Sequence, residues 1–145
     1  NLSTLPGIPS IYYGSEFGVL GRKEQGDEVL RQRYALPQLL AGNLCLRNTI
    51  KRLANIRKNS QALLIGNYRK LLTTQQQIAY SRSSRDETIV VLINSAAEPV
   101  MLHVPLNGTL SSNGIDVLNQ NETVTSQDGI LRCTVPSRWG RVIKM

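Results

Sequence analysis

The side chains with the clearest chemical use sit near the start of the sequence. Gly14 and Glu16 follow a short apolar run, and Asp27 precedes Arg31 by four positions. If Asp27 opens a helix, Arg31 lies one turn on. The pair then offers an anionic acceptor beside a planar, bidentate donor. That combination suits a polyhydroxylated ligand, because sugar hydroxyls both donate and accept hydrogen bonds. The plainer alternative is a helix cap joined to an ion pair. Asp27 and Arg31 are the candidate binding residues on this reading. Other chemistry is sparse. The single histidine, His103, falls on an outward strand position without a convincing Ser or Cys partner, which argues against a hydrolytic triad. No His, Cys and carboxylate cluster has metal-ligand spacing, and no glycine-rich loop has a phosphate-binding pattern. Asp27/Glu28 and Asp86/Glu87 are adjacent in sequence, so they point apart on a strand and align poorly on a helix. No catalytic pair, metal site or cofactor site is expected within these residues.

The elements that must position Asp27 and Arg31 are of two kinds. Residues 1–28 are punctuated by Gly and Pro around Ile11-Tyr12-Tyr13, which suggests a buried strand entered from a turn. Four glycines between Gly14 and Gly26 make a long loop, and loops of that length are uncommon without a job. Val29 to Ala41 suggests a short helix broken near Pro37 and stopped by Gly42. Asn43 to Lys58 is the clearest helix. Leu46, Ile50, Leu53 and Ala54 form its apolar side, Arg47, Lys51, Asn55 and Lys58 its basic side, and Asn43 can cap it. Ser60 to Gly66 adds one further turn. From Asn67 the period switches to two. Strands are expected at 68–73, 77–82, 88–93, 100–104, 115–118, 122–125, 130–135 and 141–145, with Asp128-Gly129 as a tight hairpin. The run Thr88–Ile93 is apolar throughout, so it should be a central strand covered on both faces. In Val100–Val104 the alternation turns Val100, Leu102 and Val104 inward. The fold class is therefore mainly β: an antiparallel β-sandwich of about eight strands, Greek-key in type, preceded by helices.

Charge divides the chain in the same place. Residues 1–70 hold 11 basic and 4 acidic side chains, the entire excess of +7, while residues 71–145 hold 6 of each. A basic helix face invites a nucleic-acid reading. The lysines and arginines are interleaved with Asn and Gln, however, and the whole chain has one Trp and one Phe, so a solvated face is the better account. No apolar run reaches the ~18–20 residues of a membrane helix, so no membrane partner is expected. Cys45 and Cys133 lie in different elements and read as two buried, reduced thiols. The first residues have no basic region ahead of an apolar core, so they are not a signal peptide. This favours the cytoplasm without fixing the compartment.

The residues that bracket the loop resemble a known family. Leu5-Pro6-Gly7-Ile8-Pro9-Ser10-Ile11-Tyr12-Tyr13-Gly14-Ser15-Glu16-Phe17-Gly18 resembles the P-G-x-P-x-x-Y-Y-G-x-E-x-G pattern on the eighth barrel strand of the α-amylase superfamily of glycoside hydrolases, family 13. Ile50-Lys51-Arg52-Leu53-Ala54-Asn55-Ile56-Arg57-Lys58, with Ala62-Leu63 and Gly66, is similar to the last barrel helix and its exit. The strand-rich tail looks most like the neopullulanase, cyclomaltodextrinase and maltogenic amylase branch. The resemblance implies residues 1–66 as the last β/α unit of a truncated (β/α)₈ barrel and residues 67–145 as a C-terminal sandwich that stabilises it. It implies an α-glucan substrate (starch, pullulan or cyclodextrin) and retaining hydrolysis by two carboxylates. Those carboxylates lie upstream of the P-G-x-P motif in the family, so this piece alone should be inactive. The family often reads D-P-x-x-R after the eighth strand, with both charged groups on sugar. Asp27 and Arg31 match them, while Glu28 replaces the Pro. Glu16 matches in form and is expected to orient the loop. The parent can carry calcium, with no site identifiable in this sequence. Two other readings stay open: a stand-alone glycan-binding module, in which only Tyr80 and Trp139 could stack on sugar, and a nucleic-acid-binding helix. Without barrel neighbours, the strand at 8–13 should be displaced or should pair with a second copy.

Overall fold

The computed structural model describes residues 2–30, 33–35, 37, 39, 42–106 and 112–145. The eight expected strands are present: β1 (Asn67–Thr73), β2 (Gln77–Ser83), β3 (Thr88–Asn94), β4 (Val100–Pro105), β5 (Ser112–Asp116), β6 (Glu122–Gln127), β7 (Ile130–Val135) and β8 (Trp139–Lys144). They form one antiparallel sheet in the order β1-β2-β3-β8-β5-β6-β7-β4. The sheet folds over on itself, so its two edges, β1 and β4, come back into contact. A β-bulge between Lys70 and Leu72 bends β1 and lets both Leu71 and Leu72 pack inward.

The first core lies inside this fold. Ala79, Val90, Leu92, Leu102, Val104, Leu131, Val135 and Ile143 meet there. The second lies on the outer face of β2, β3 and β8, where Tyr80, Ile89, Val91 and Val142 pack against helices. Alternate residues of β3 therefore serve different cores, which is why that strand is apolar at every position from Ile89 to Ile93. Leu102 and Val104 point inward and His103 outward, as the alternation of β4 requires.

Among the described residues, the sheet is preceded by α1 (Asp27–Leu30), α2 (Leu44–Lys58) and α3 (Gln61–Ile65). Asn43 caps α2, its side-chain oxygen accepting from the Leu46 N–H at 2.9 Å. Leu53 and Ile56 of α2 and the fully buried Ala62 and Leu63 of α3 cover the second core. Burying a leucine this completely contributes about 2 kcal/mol.

Several local expectations need correction. Ala54 is exposed and Ile56 takes its place on the apolar stripe. Cys45 is exposed, one position off that stripe, and only Cys133 is buried. The expected helix from Val29 to Ala41 is not continuous, because residues 33–35 lie outside regular structure. Residues 8–13 make no ladder. A parallel barrel strand takes hydrogen bonds from both sides, and no described strand lies beside it. Ile8, Ile11, Tyr12 and Tyr13 are consequently exposed. Upstream of this segment, Ser3 and Thr4 are buried.

Candidate functional site

The loop after Tyr13 is built from its backbone. Gly14 and Gly18 have φ of +84° and +72°, a region that favours glycine, and they bracket a short 3₁₀ turn, Ser15–Phe17. The turn is pinned to α2: the Asn43 N–H donates to the Phe17 carbonyl at 2.9 Å, and the Arg47 guanidinium stands 5.6 Å from the Phe17 ring centre. Tyr13 and Tyr34 pack ring to ring, and the Tyr34 N–H donates to the Tyr13 hydroxyl at 3.3 Å. Glu16 is half-buried and lines an open hollow with Ile11, Tyr13, Arg47, Ile50 and Lys51. Gly26, at φ +96°, then turns the chain into α1, and Asp27 is the first residue of that helix, exposed to solvent. Asp27 is thus an open acceptor in a helical first turn, where a carboxylate is favoured. Arg31, the other candidate binding residue, lies outside the described residues. Among the described residues no group of three or more His, Cys, Asp or Glu could hold a metal ion. No helix among them is long and apolar enough to cross a membrane.

The loop is carried by a joint that composition does not reveal. Arg57, which in the sequence stands only within the Ile50–Lys58 stretch of the resemblance, is buried. It donates to the carbonyls of Ser3, Leu5 and Gly7. Arg82 is also buried, donating to Gly66 through Nε and Nη2 and to Thr4 through Nη1. Burial, and after it the nearby Arg57 guanidinium, pulls Arg82 down from its ordinary pKa. Tyr80, fully buried, shares a 2.6 Å hydrogen bond with the Thr4 hydroxyl; burial pushes its phenol up and the hydrogen bond opposes the shift. On the far side, Glu87 accepts from the Ser60 hydroxyl at 2.7 Å and the Ala62 N–H at 3.0 Å, and meets Lys144 at 3.1 Å. Burial alone would raise this carboxyl. Its three donors outweigh burial and hold it below the usual glutamate value.

Residues 68–138 match the family model of the neopullulanase-like C-terminal domain. A cyclomaltodextrinase from Thermoanaerobacter pseudethanolicus is 27% identical over 95 residues, which is 66% of this chain and 16% of that protein. The structure of Ttha1563 from Thermus thermophilus superposes with a TM-score of 0.83 at 28% identity, over 99% of this chain and 29% of the other. The α-amylase from Geobacillus thermoleovorans, solved with acarbose, gives 0.84 at 22% identity, over 99% of this chain and 31% of that one, a likeness of fold. The chain thus spans about a sixth of the curated relative and less than a third of the solved structures.

The β-domain carries a second polar cluster. Asp116, fully buried at the end of β5, accepts from the backbone N–H groups of Leu118 (3.1 Å), Asn119 (3.2 Å) and Val142 (3.3 Å). It also accepts from the Asn119 amide (2.8 Å) and from Arg141 (2.9 Å), which bridges on to Glu122. Burial works against the charged Arg141 guanidinium, but Glu122 and Asp116 raise its pKa overall. The strand expected at 115–118 therefore ends at Asp116, because that side chain closes the turn after it. Of the two aromatics considered for sugar stacking, Tyr80 is core and Trp139 is 38% exposed.

Proposed function

We propose that this chain is the C-terminal part of an α-amylase-type glycoside hydrolase acting on α-glucans. Residues 1–66 form the last β/α unit of its barrel, and residues 67–145 are a sandwich that stabilises it. The match of residues 68–138 to the neopullulanase-like C-terminal domain carries the reading. The P-G-x-P run ahead of Tyr13 and the superposition of 99% of the chain on amylase-fold proteins support it. The stabilising role rests on the apolar face of α2 and α3, which the sandwich covers, and on Arg82, which ties the sheet to Thr4 and Gly66.

In the parent, Asp27 and Arg31 bind the sugar beside the cleavage point. The Asp27 carboxylate accepts from sugar hydroxyls and the Arg31 guanidinium donates to them. The loop that carries them follows the strand, the end at which barrel enzymes assemble their sites. The hydrolytic carboxylates belong upstream of this stretch. The purified 145-residue chain is therefore expected to show no turnover of starch, pullulan or cyclodextrin in a reducing-sugar assay; measurable turnover would overturn the reading. In the parent, D27A and R31A are each expected to lower kcat/KM about 10-fold or more without unfolding the protein. Unchanged kinetics in both would remove the sugar-binding role and leave the cap alternative.

A further inference from the structure

Trp139 is the first residue of β8 and stands at the shared edge of two adjoining hollows. The larger, of about 370 Å³, has an apolar floor of Leu53, Val91, Ile93 and Leu118. The smaller, of about 250 Å³, is lined by polar groups that include Arg52, Asn119, Gln120 and Glu122. The indole is not loose. Its N–H donates to the Asn119 oxygen at 2.8 Å, while the Asn119 amide donates to the buried Asp116 carboxylate at 2.8 Å and to the Gly140 carbonyl at 3.1 Å. The ring is thus braced from the interior while more than a third of the residue stays exposed. The backbone around it is strained. Gln120, Asn121 and Arg138 adopt φ of +59°, +60° and +48°, and they are three of the four non-glycine residues with positive φ among the described residues. Such strain gathers where a surface is held ready for a ligand.

We propose that this corner is a glycan-binding site on the β-domain, separate from the Asp27 loop, with Trp139 as its platform. A braced, half-exposed indole offers an apolar face to the C–H side of a pyranose ring at little entropic cost. Gln120, Glu122 and Arg52 supply planar polar groups for the hydroxyl rim, which both donates and accepts. A neutral ligand fits better than an anion. Arg141 is engaged by Asp116 and Glu122, and Arg52 donates to the Leu118 carbonyl at 2.8 Å. The expectation that the sugar is an α-glucan rests on the proposed function; the platform itself does not.

The chain contains a single tryptophan, so its fluorescence reports on this site alone. Titration of the 145-residue chain with maltoheptaose is expected to shift the emission saturably, with a Kd of about 1 mM. In calorimetry, W139A should weaken binding at least ~10-fold. Q120G supplies a variant that cannot fail by misfolding, since glycine relieves the left-handed backbone. It should raise Tm and weaken binding about 3-fold, a pairing that a purely structural role would not give. Absence of any emission change and of any heat of binding would overturn the site. Undiminished binding by W139A would overturn it as well, placing the sugar elsewhere. A response to cellohexaose but not to maltoheptaose would keep the platform and remove the α-linkage. Each of these outcomes is independent of whether the chain hydrolyses starch.

Discussion

At the scale of single residues, the consequential groups are those whose burial contradicts their polarity. Asp116 is the strongest case, since five donors converge on one carboxylate. D116A leaves Arg141 without its buried partner and takes an acceptor from the backbone N–H groups of Leu118 and Val142, while the Asn119 N–H keeps the Asp116 carbonyl. It is expected to cost about 3–5 kcal/mol in urea unfolding. Glu87 has a milder, pH-dependent role. Its folded pKa lies below the unfolded value, so its contribution is fully present above the ordinary glutamate value of 4.5 and is lost as pH falls through the folded one. E87Q should therefore lower stability at pH 7 and flatten the loss on acidification below that value, as read from Tm against pH. None of this was legible beforehand. An aspartate after an isoleucine in a short strand looks like a solvent-facing residue, and only the three-dimensional position of Asn119 and Arg141 reveals otherwise. Arg57 was equally hidden, because its acceptors are carbonyls, which any sequence supplies.

At the scale of elements, the strands were legible because their burial follows simple alternation, and β3 because it breaks alternation by being apolar throughout. The hairpin at Asp128-Gly129 shows the same economy. Its residues have φ of +53° and +71°, as a two-residue turn between β6 and β7 requires. G129A should destabilise the fold by about 1 kcal/mol, measured by thermal or urea unfolding. The residues before α2 were read less well. Glycine and proline mark where regular structure stops, and they do not say what replaces it. The strand expected at Ile11-Tyr12-Tyr13 is a barrel strand only by resemblance, and a strand exists only through its neighbours. Asp27 was placed correctly at the start of a helix, because a carboxylate ahead of a helical turn is a local signal.

At the scale of the whole molecule, α2, α3 and the sheet share one apolar core and one set of buried arginines. The chain is expected to melt in a single transition, with helix and strand signals coinciding in circular dichroism and amide exchange. Two separated transitions would show that residues 1–66 and 67–145 are independent. R82M removes three hydrogen bonds that hold Thr4 and Gly66, and should lower stability by about 2–3 kcal/mol. The order of strands has one more consequence. β8, the latest of the eight to leave the ribosome, lies in the middle of the sheet between β3 and β5. Everything synthesised before it forms two separate ribbons, β1-β2-β3 and β5-β6-β7-β4, with a slot between them. The domain is closed like an arch by its keystone, and a nascent chain that stalls before Trp139 leaves both flanks of that slot open to any passing strand.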